Sequence, residues 1–482
     1  MINFRIIFKL LGSLLILEGL FMGITIPVSI YYGENMIVEL LQASSITLVA
    51  GVILWLISRN ADVYFGKREG YLIVTFGWIM FSMFGSLPFL LTHYIPSFTD
   101  AFFETISGFT TTGASVLNDV EALPHALLFW RSMTQWLGGM GIIVMTLAIL
   151  PILGIGGMQL FIAEVPGITP DKLHPRIKET AKRLWGIYIL LTFVEVALLW
   201  IGGIGIFDSV CHAFTTMATG GYSTHQASVA YFQSPYVQYV ITFFMFLAGT
   251  NFTLSYAAIH LNFKKIWRNE EFRFYLGFVL LFTAIISVGL YFTKEQPFEQ
   301  SFRESIFQVV SIITTTGYVT ANYLSWIPVL SVLIFVLMFF GGSAGSTGGG
   351  IKIARVVLLF KNSRLELRRL IHPSAIIPVR LNNKAVSQPV LSNVLAFIVF
   401  YILIIVVSII VMSALGLNLE SSLGAVAASL GNIGPGIGSV GPVNTYAHIP
   451  DFGKWFLSFL MLLGRLELFT VLILFSSSFW KK

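Results

Sequence analysis

The chain has 482 residues, of which 56% are hydrophobic and only 11% charged, and its mean hydropathy is +0.83. A soluble fold cannot bury that much apolar surface, so the composition excludes a soluble enzyme or binding module and predicts an all-α polytopic membrane protein. The net charge of +6 lies in short loops between apolar stretches and calls for no nucleic-acid partner.

In chain order, the segments long enough to span a bilayer are about 5–31, 38–58, 71–94, 125–151, 184–206, 234–262, 272–293, 325–360 (interrupted), 391–416 and 452–478. Arg5 and Lys9 precede the first, as in a signal peptide. Its apolar run is too long for such a leader and no small-residue cleavage site follows, so it reads as a retained helix. Assigning loops alternately to two sides leaves only Arg131, Lys294, Arg303, Lys454 and Arg465 of the 29 Lys and Arg off the basic side. That side carries both termini and 59–68, 172–183, 264–273 and 352–384, and the positive-inside rule makes it cytoplasmic. Cys211 is the single cysteine, which excludes an internal disulfide and a cysteine metal site, and the eight histidines show no ligand spacing.

One short pattern returns four times. It reads Thr110-Thr111-Thr112-Gly113, then Ala218-Thr219-Gly220-Gly221, then Thr314-Thr315-Thr316-Gly317, with a divergent Asn432-Ile433-Gly434. The two adjacent glycines of the second copy leave its register open, and the Tyr222-Ser223-Thr224 that follows favours Gly221. Thirteen residues before Gly113, Gly221 and Gly317 stand Asp100, Asp208 and Glu304, and Glu420 stands fourteen before Gly434. The roughly ten apolar residues between acid and glycine make a short helix that cannot cross a core of ~30 Å. Each unit therefore reads as spanning helix, half-membrane helix, extended loop and spanning helix. A non-helical loop at membrane depth must be buried or line water, and four loops around one axis meet that condition. The acids have a plain role as helix N-terminal residues. A sharper role is cation attraction at an outer mouth.

Such loops suit a cation that must exchange its water shell for fixed oxygens, because backbone carbonyls supply these without a charge that would hold the ion too tightly. Glycine supplies the unusual backbone angles. The Thr hydroxyls at 110–112, 219 and 314–316 can tie each loop to its neighbours or add an oxygen ligand. The stretch Gly341-Gly342-Ser343-Ala344-Gly345-Ser346-Thr347-Gly348-Gly349-Gly350 interrupts a spanning helix just inside the third loop. A run of small residues there predicts an irregular segment facing the aqueous path, suited to a gate; a packing kink is the alternative. The run is no Walker A motif, since Lys352 follows Ile351 and no Ser or Thr follows the lysine. Arg465 lies inside the last span, where it should face protein or water, bonding carbonyls of 341–350 or setting a positive barrier beneath the loops. Glu467, two residues on, projects from another helix face and is not its expected partner.

The segments SGFTTTGAS, CHAFTTMATGGYSTH, VVSIITTTGYVT, NIGPGIG, FFGGSAGSTGGGIK and GRLELFTVL together resemble the Trk/Ktr/HKT superfamily of potassium transporters, most closely its bacterial Trk uptake subunits. The resemblance covers essentially the whole chain. It implies four M1–pore helix–M2 repeats around a central pore plus two N-terminal transmembrane helices. Residues 1–62 would hold the two extra helices, and 63–170, 171–264, 265–375 and 376–482 the repeats. It implies a potassium filter at Thr111, Thr112, Gly113, Thr219, Gly220, Gly221, Thr315, Thr316, Gly317, Asn432, Ile433 and Gly434, and a gate at 341–350 with Arg465. It also implies a homodimer in the bacterial inner membrane, regulated by cytosolic TrkA-like nucleotide-binding subunits. The chain itself carries no nucleotide motif, so its expected ligand is the transported potassium ion, with no cofactor. Pro435 after Gly434 departs from the four-fold pattern. Two rivals stand beside the channel-like conduit. A symporter coupling potassium to protons or sodium would place acids at its midplane site, and the filter loops carry none. An intramembrane enzyme would need a catalytic constellation such as HExxH, which is missing from the sequence.

Overall fold

The computed structural model describes residues 2–61, 66–141, 177–372 and 377–481. Within them the chain is helical except for loops and one two-residue β-pair, Arg380–Leu381 with Lys384–Ala385. Six helices are long and apolar enough to cross a membrane: Phe4–Tyr31, Ile37–Ile57, Arg68–Leu91, Lys182–Ile201, Glu270–Lys294 and Gln388–Ala414. The most apolar, Gln388–Ala414, buries only 22% of its best window against protein, so its uniform hydrophobicity follows from one face meeting helices and the rest meeting lipid.

The two N-terminal helices meet along small residues. A Cβ on Gly12 would stand 2.7 Å from the Gly51 carbonyl oxygen, and one on Gly51 would stand 2.8 Å from that of Gly12. Ser44 Oγ donates to the Gly19 carbonyl at 2.7 Å along the same seam. In lipid, such close backbone approach and hydrogen bonding replace the hydrophobic drive that holds soluble helices together.

Four half-length helices follow four of the long ones: Phe98–Phe109, Ile206–Met217, Phe298–Ile313 and Leu419–Gly431. Their last turns are buried, apart from a partly exposed Phe214 in the second. Asp100, Asp208 and Glu420 occupy first turns, as the plain reading of the acids requires. Glu304 does not. The third half-helix starts earlier, at Phe298, which places Glu304 well inside it, accepting from Gln300 Nε2 at 2.9 Å.

The helices after the loops depart from expectation. Segment 234–262 is two helices, Pro235–Ala248 and Phe252–Ile259, bent by 111°, and 452–478 is Asp451–Arg465 and Phe469–Phe475, also bent by 111°. His125–Trp136 runs into a backbone break at Gly139 (φ −66°, ψ −122°). The remainder of 125–151 and residues 172–176 of the basic loop 172–183 lie outside the described residues, as do parts of 59–68 and 352–384. Pro328–Leu337 and Ile353–Ile371 flank the glycine-rich segment, as predicted. The second helix of every unit is therefore broken. Each break carries a glycine where the chain must approach closely. A Cβ on Gly138 would lie 2.0 Å from the Phe109 carbonyl oxygen, one on Gly464 2.1 Å from that of Leu430, and one on Gly249 2.5 Å from Thr314 Cγ2.

Overpacking a close helix seam costs about 1–3 kcal/mol. The variant Gly51→Leu should lower the thermal unfolding midpoint in detergent while leaving relative ion selectivity unchanged, because its seam is remote from the four loops.

Candidate functional site

Each half-helix ends in the same unusual turn. The residues Thr111, Thr219, Thr315 and Asn432 have left-handed φ of +53°, +53°, +59° and +55°. Two positions on, Gly113, Gly221, Gly317 and Gly434 have φ of +80°, +76°, +80° and +93°. The intervening Thr112, Gly220, Thr316 and Ile433 are absent from the positive-φ set. Alternating handedness turns successive carbonyls toward one side, the arrangement an oxygen-lined ion path needs. It also decides the second register: Gly220 stands where the other loops carry Thr or Ile, and Gly221 is the in-register glycine. The fourth loop keeps the same backbone despite Pro435.

A β-branched residue at positive φ is strained by an amount of order 1–3 kcal/mol. The helix ends hold it in place. Thr112 N donates to the Ser107 carbonyl at 2.8 Å, Gly220 N to Thr215 at 2.8 Å, Thr316 N to Ser311 at 2.8 Å and Ile433 N to Ala428 at 2.9 Å. These six-to-one bonds close the helix in the manner usually reserved for a C-terminal glycine. Asn is the non-glycine residue that best tolerates this conformation, which accounts for Asn432 in the divergent copy.

The four loops close a ring. A Cβ on Gly113 would stand 2.2 Å from the Gly220 carbonyl oxygen, and one on Gly221 1.9 Å from that of Thr316. One on Gly317 would stand 1.8 Å from the Ile433 oxygen, and one on Gly434 2.7 Å from that of Thr112. Each glycine thus leaves room for the preceding carbonyl of the next loop, in the order one to two to three to four to one. Side chains add to the ring. Thr110 and Thr112 hydroxyls lie 2.8 Å apart, Thr314 and Thr316 also 2.8 Å, and Asn432 Nδ2 donates to Thr112 Oγ1 at 2.9 Å. On the glycine side the ring opens into a funnel of about 90 Å³ lined by all four glycines.

Buried tyrosines bridge neighbouring units, a feature the sequence reading missed. Tyr222 Oη donates to the Glu104 carbonyl at 2.6 Å and Tyr318 Oη to that of His212 at 3.1 Å, the two acceptors each nine residues before their loop glycine. Tyr323 Oη donates to the Gly436 carbonyl at 2.7 Å, and Tyr446 N to that of Ser115 at 2.8 Å. The aromatic after the Gly in two copies was the only sequence signal.

At the opposite end of the ring, the 341–350 segment is packed against the C-terminal ends of three half-helices. Gly349 N donates to Thr315 Oγ1 at 2.7 Å, and Thr347 Oγ1 to the Met217 carbonyl at 3.1 Å. A Cβ on Gly349 would meet Asn432 at 2.7 Å, and one on Gly348 the Thr314 carbonyl oxygen at 2.9 Å, so side chains are excluded by space. Ser343 N donates to the Gly249 carbonyl at 2.8 Å and Ala344 N to Glu271 Oε1 at 2.6 Å. Lys352 Nζ bonds the Gly348 carbonyl. Arg465, 9% exposed, donates to the Thr347 carbonyl at 2.6 Å and to the Gly139 carbonyl at 2.9 Å, with Gly138 O also in reach. Glu467 pairs with Arg355 and not with Arg465, as expected, although the reason differs: the helix ends at Arg465 and Glu467 lies beyond it with φ +57°. The helix breaks at Gly138-Gly139 and Gly249, which sequence reasoning took for continuous spans, are thus the acceptors that hold this segment.

The class defined by these features is an all-α polytopic membrane protein with four re-entrant units closed into a ring. A family model described as TrkH, cation transport protein, matches residues 37–482. The chain is 42% identical over 484 residues to the Trk system potassium uptake protein TrkH of Salmonella typhimurium, covering 100% of both, and 41% identical to that of Escherichia coli, also over the full length of both. The crystal structure of the potassium transporter TrkH from Vibrio parahaemolyticus superposes with a TM-score of 0.90 at 38% identity, covering 100% of each chain. The chain belongs to the TrkH family of cation transport proteins and is not an enzyme.

The register makes a test. At Gly221 an added methyl strikes a backbone oxygen and needs a left-handed φ, whereas at Gly220 it meets the Gln135 side chain, which can move. Gly221→Ala should abolish ion flux into liposomes, and Gly220→Ala should retain a measurable fraction of it.

Proposed function

We propose that this chain takes potassium up across the bacterial inner membrane through a pore of channel type, with its basic loops cytoplasmic. The observation that carries the reading is the closed ring of four loops with alternating backbone handedness. Its carbonyls offer a dehydrated monovalent cation oxygen ligands without fixed charge. The filter comprises Thr111, Thr112, Gly113, Thr219, Gly220, Gly221, Thr315, Thr316, Gly317, Asn432, Ile433 and Gly434, one quarter from each of the units 63–170, 171–264, 265–375 and 376–482. The names of the full-length relatives support potassium as the ion. Each half-helix directs its negative dipole end at the space beneath the ring, which favours a cation there. The filter loops carry no ionisable side chain, which favours a conduit over proton-coupled or sodium-coupled symport.

The gate in this reading is 341–350. Its glycines fill the space at the C-terminal ends of the half-helices, and Arg465 tethers its Thr347 carbonyl. Control falls to cytosolic TrkA-like nucleotide-binding subunits docking on the basic face formed by 172–183, 264–273 and 352–384. The word "system" in the relatives' names supports a multi-component assembly. Two copies of the chain form the working unit as a homodimer.

Two experiments test the two parts. Gly113→Ser and Gly317→Ser each push a side chain into a neighbouring carbonyl, and both proteins should lose potassium-over-sodium preference in liposome flux; unchanged preference would count heavily against the filter. Shortening 341–350 by several residues should raise basal potassium flux without any regulator. Arg465→Ala should do the same, although it also removes a positive charge from the path, so the loop deletion decides. A folded deletion protein with wild-type basal flux would move the gate elsewhere.

A further inference from the structure

The pore-helix position nine residues before each filter glycine holds Glu104, His212, Gln308 and Ala425. In three units its side chain reaches the strand leaving the filter. Glu104 accepts from Val116 N at 2.9 Å and from Ser115 Oγ at 3.0 Å, His212 Nε2 lies 3.0 Å from Ser223 Oγ, and the Gln308 amide oxygen accepts from Thr320 N at 2.8 Å. The first unit alone adds charge. Arg131 Nε donates to Glu104 Oε1 at 2.7 Å, with both side chains almost wholly buried. Its Nη1 reaches across to the second loop and donates to the Ser223 carbonyl at 2.9 Å. The guanidinium lies 3.5 Å above the Tyr222 ring, and the Tyr222 hydroxyl returns to the Glu104 carbonyl at 2.6 Å. A buried ion pair adds little stability over an apolar pair of equal volume. What this one does add is a rigid connection between residues 115–116 of one filter strand and 222–223 of the next.

We infer that Glu104 and Arg131 are positioning residues that set the spacing between filter loops one and two, and through it the preference for potassium over sodium. The inference rests on the filter reading above. The planar guanidinium can bond a carboxylate and a carbonyl in two directions at once, and a lysine ammonium on a flexible stem cannot hold that geometry. The carboxylate cancels the charge of Arg131, which borders the funnel next to the filter glycines.

The test uses the full-length protein reconstituted in liposomes, with flux measured under potassium and sodium gradients. Arg131→Lys keeps the charge and loses the fork. The double variant Glu104→Gln with Arg131→Met keeps the volume and removes both charges. Both should fold, with a thermal midpoint near wild type in sodium, and both should lose about tenfold in potassium-over-sodium preference, the scale of one or two charge-assisted hydrogen bonds. Potassium should raise the thermal midpoint of the wild type above its value in sodium, and both variants should lose that difference. Glu104→Gln alone, which leaves the Arg131 charge uncancelled beside the path, should show lower flux than the double variant. Wild-type preference in Arg131→Lys and in the double variant, with preference lost in Gly113→Ser, would sink this inference and leave the filter reading standing. Wild-type preference in all of them, Gly113→Ser included, would remove the filter reading and this inference with it. Failure of both variants to fold would mark the pair as an element of the fold alone and also overturn it.

Discussion

The contact on which the rest depends is the one between a missing side chain and a carbonyl. At four seams the space a Cβ would fill on a loop glycine is taken by the backbone oxygen of the next loop, at 1.8 to 2.7 Å from where that carbon would be. Backbone can come so near backbone only when the residue being approached carries no side chain there. Once the four seams close, the loops have no freedom to spread, and their oxygens are fixed by the frame and not by their own conformational preferences. That explains how three threonines stay in a left-handed conformation that each would leave if free. The strain is local and the restraint is distributed over four units.

A ring of irregular backbone inside a membrane leaves many amide and carbonyl groups without helical partners, and hydrocarbon offers none. The fold meets this demand by breaking helices next to the ring. The second helix of every unit ends or bends there, freeing carbonyls at Gly138, Gly139, Ala248 and Gly249. Those carbonyls take the N–H groups of Ser343 and Thr347, the Thr347 hydroxyl and the guanidinium of Arg465. The irregular loops and the helix breaks are two halves of one hydrogen-bonding requirement.

This division also separates what the sequence made legible from what it did not. The four Thr/Gly copies, the run of small residues at 341–350 and the intramembrane arginine are local signals, each contained in a few neighbouring residues. The breaks at Gly139, Gly249–Asn251 and Leu466–Leu468 are not legible in the sequence, because two or three residues in a strongly apolar stretch do not lower hydropathy enough to interrupt a predicted span. Glu304 was placed by its offset from Gly317, but the third half-helix is 16 residues long against 12 in the first two, so the same offset falls inside it. The seam contacts lay furthest from reach. Asn432 meets Thr112 across 320 positions and Arg465 meets Gly138 across 327, distances at which no periodicity carries information.

A single chain that supplies all four quarters can make them unequal, and the inequalities fall in a pattern. The first seam carries the buried Glu104–Arg131 pair, the second the Tyr318 contact to His212, and the fourth the Asn432 amide between Thr112 and the Met461 carbonyl. The glycine-rich insertion belongs only to the third unit, yet its tether, Arg465, comes from the fourth and also grips carbonyls of the first. Met217 and Gly249 bind it from the second. The segment therefore touches every unit, directly or through one arginine. A small displacement of any second helix changes at least one of its hydrogen bonds, while the glycine side of the ring is held by seams that do not include it. Four-fold geometry is kept at the four backbone seams of the ring, and abandoned on the opposite side, where one inserted segment bonds to several units at once.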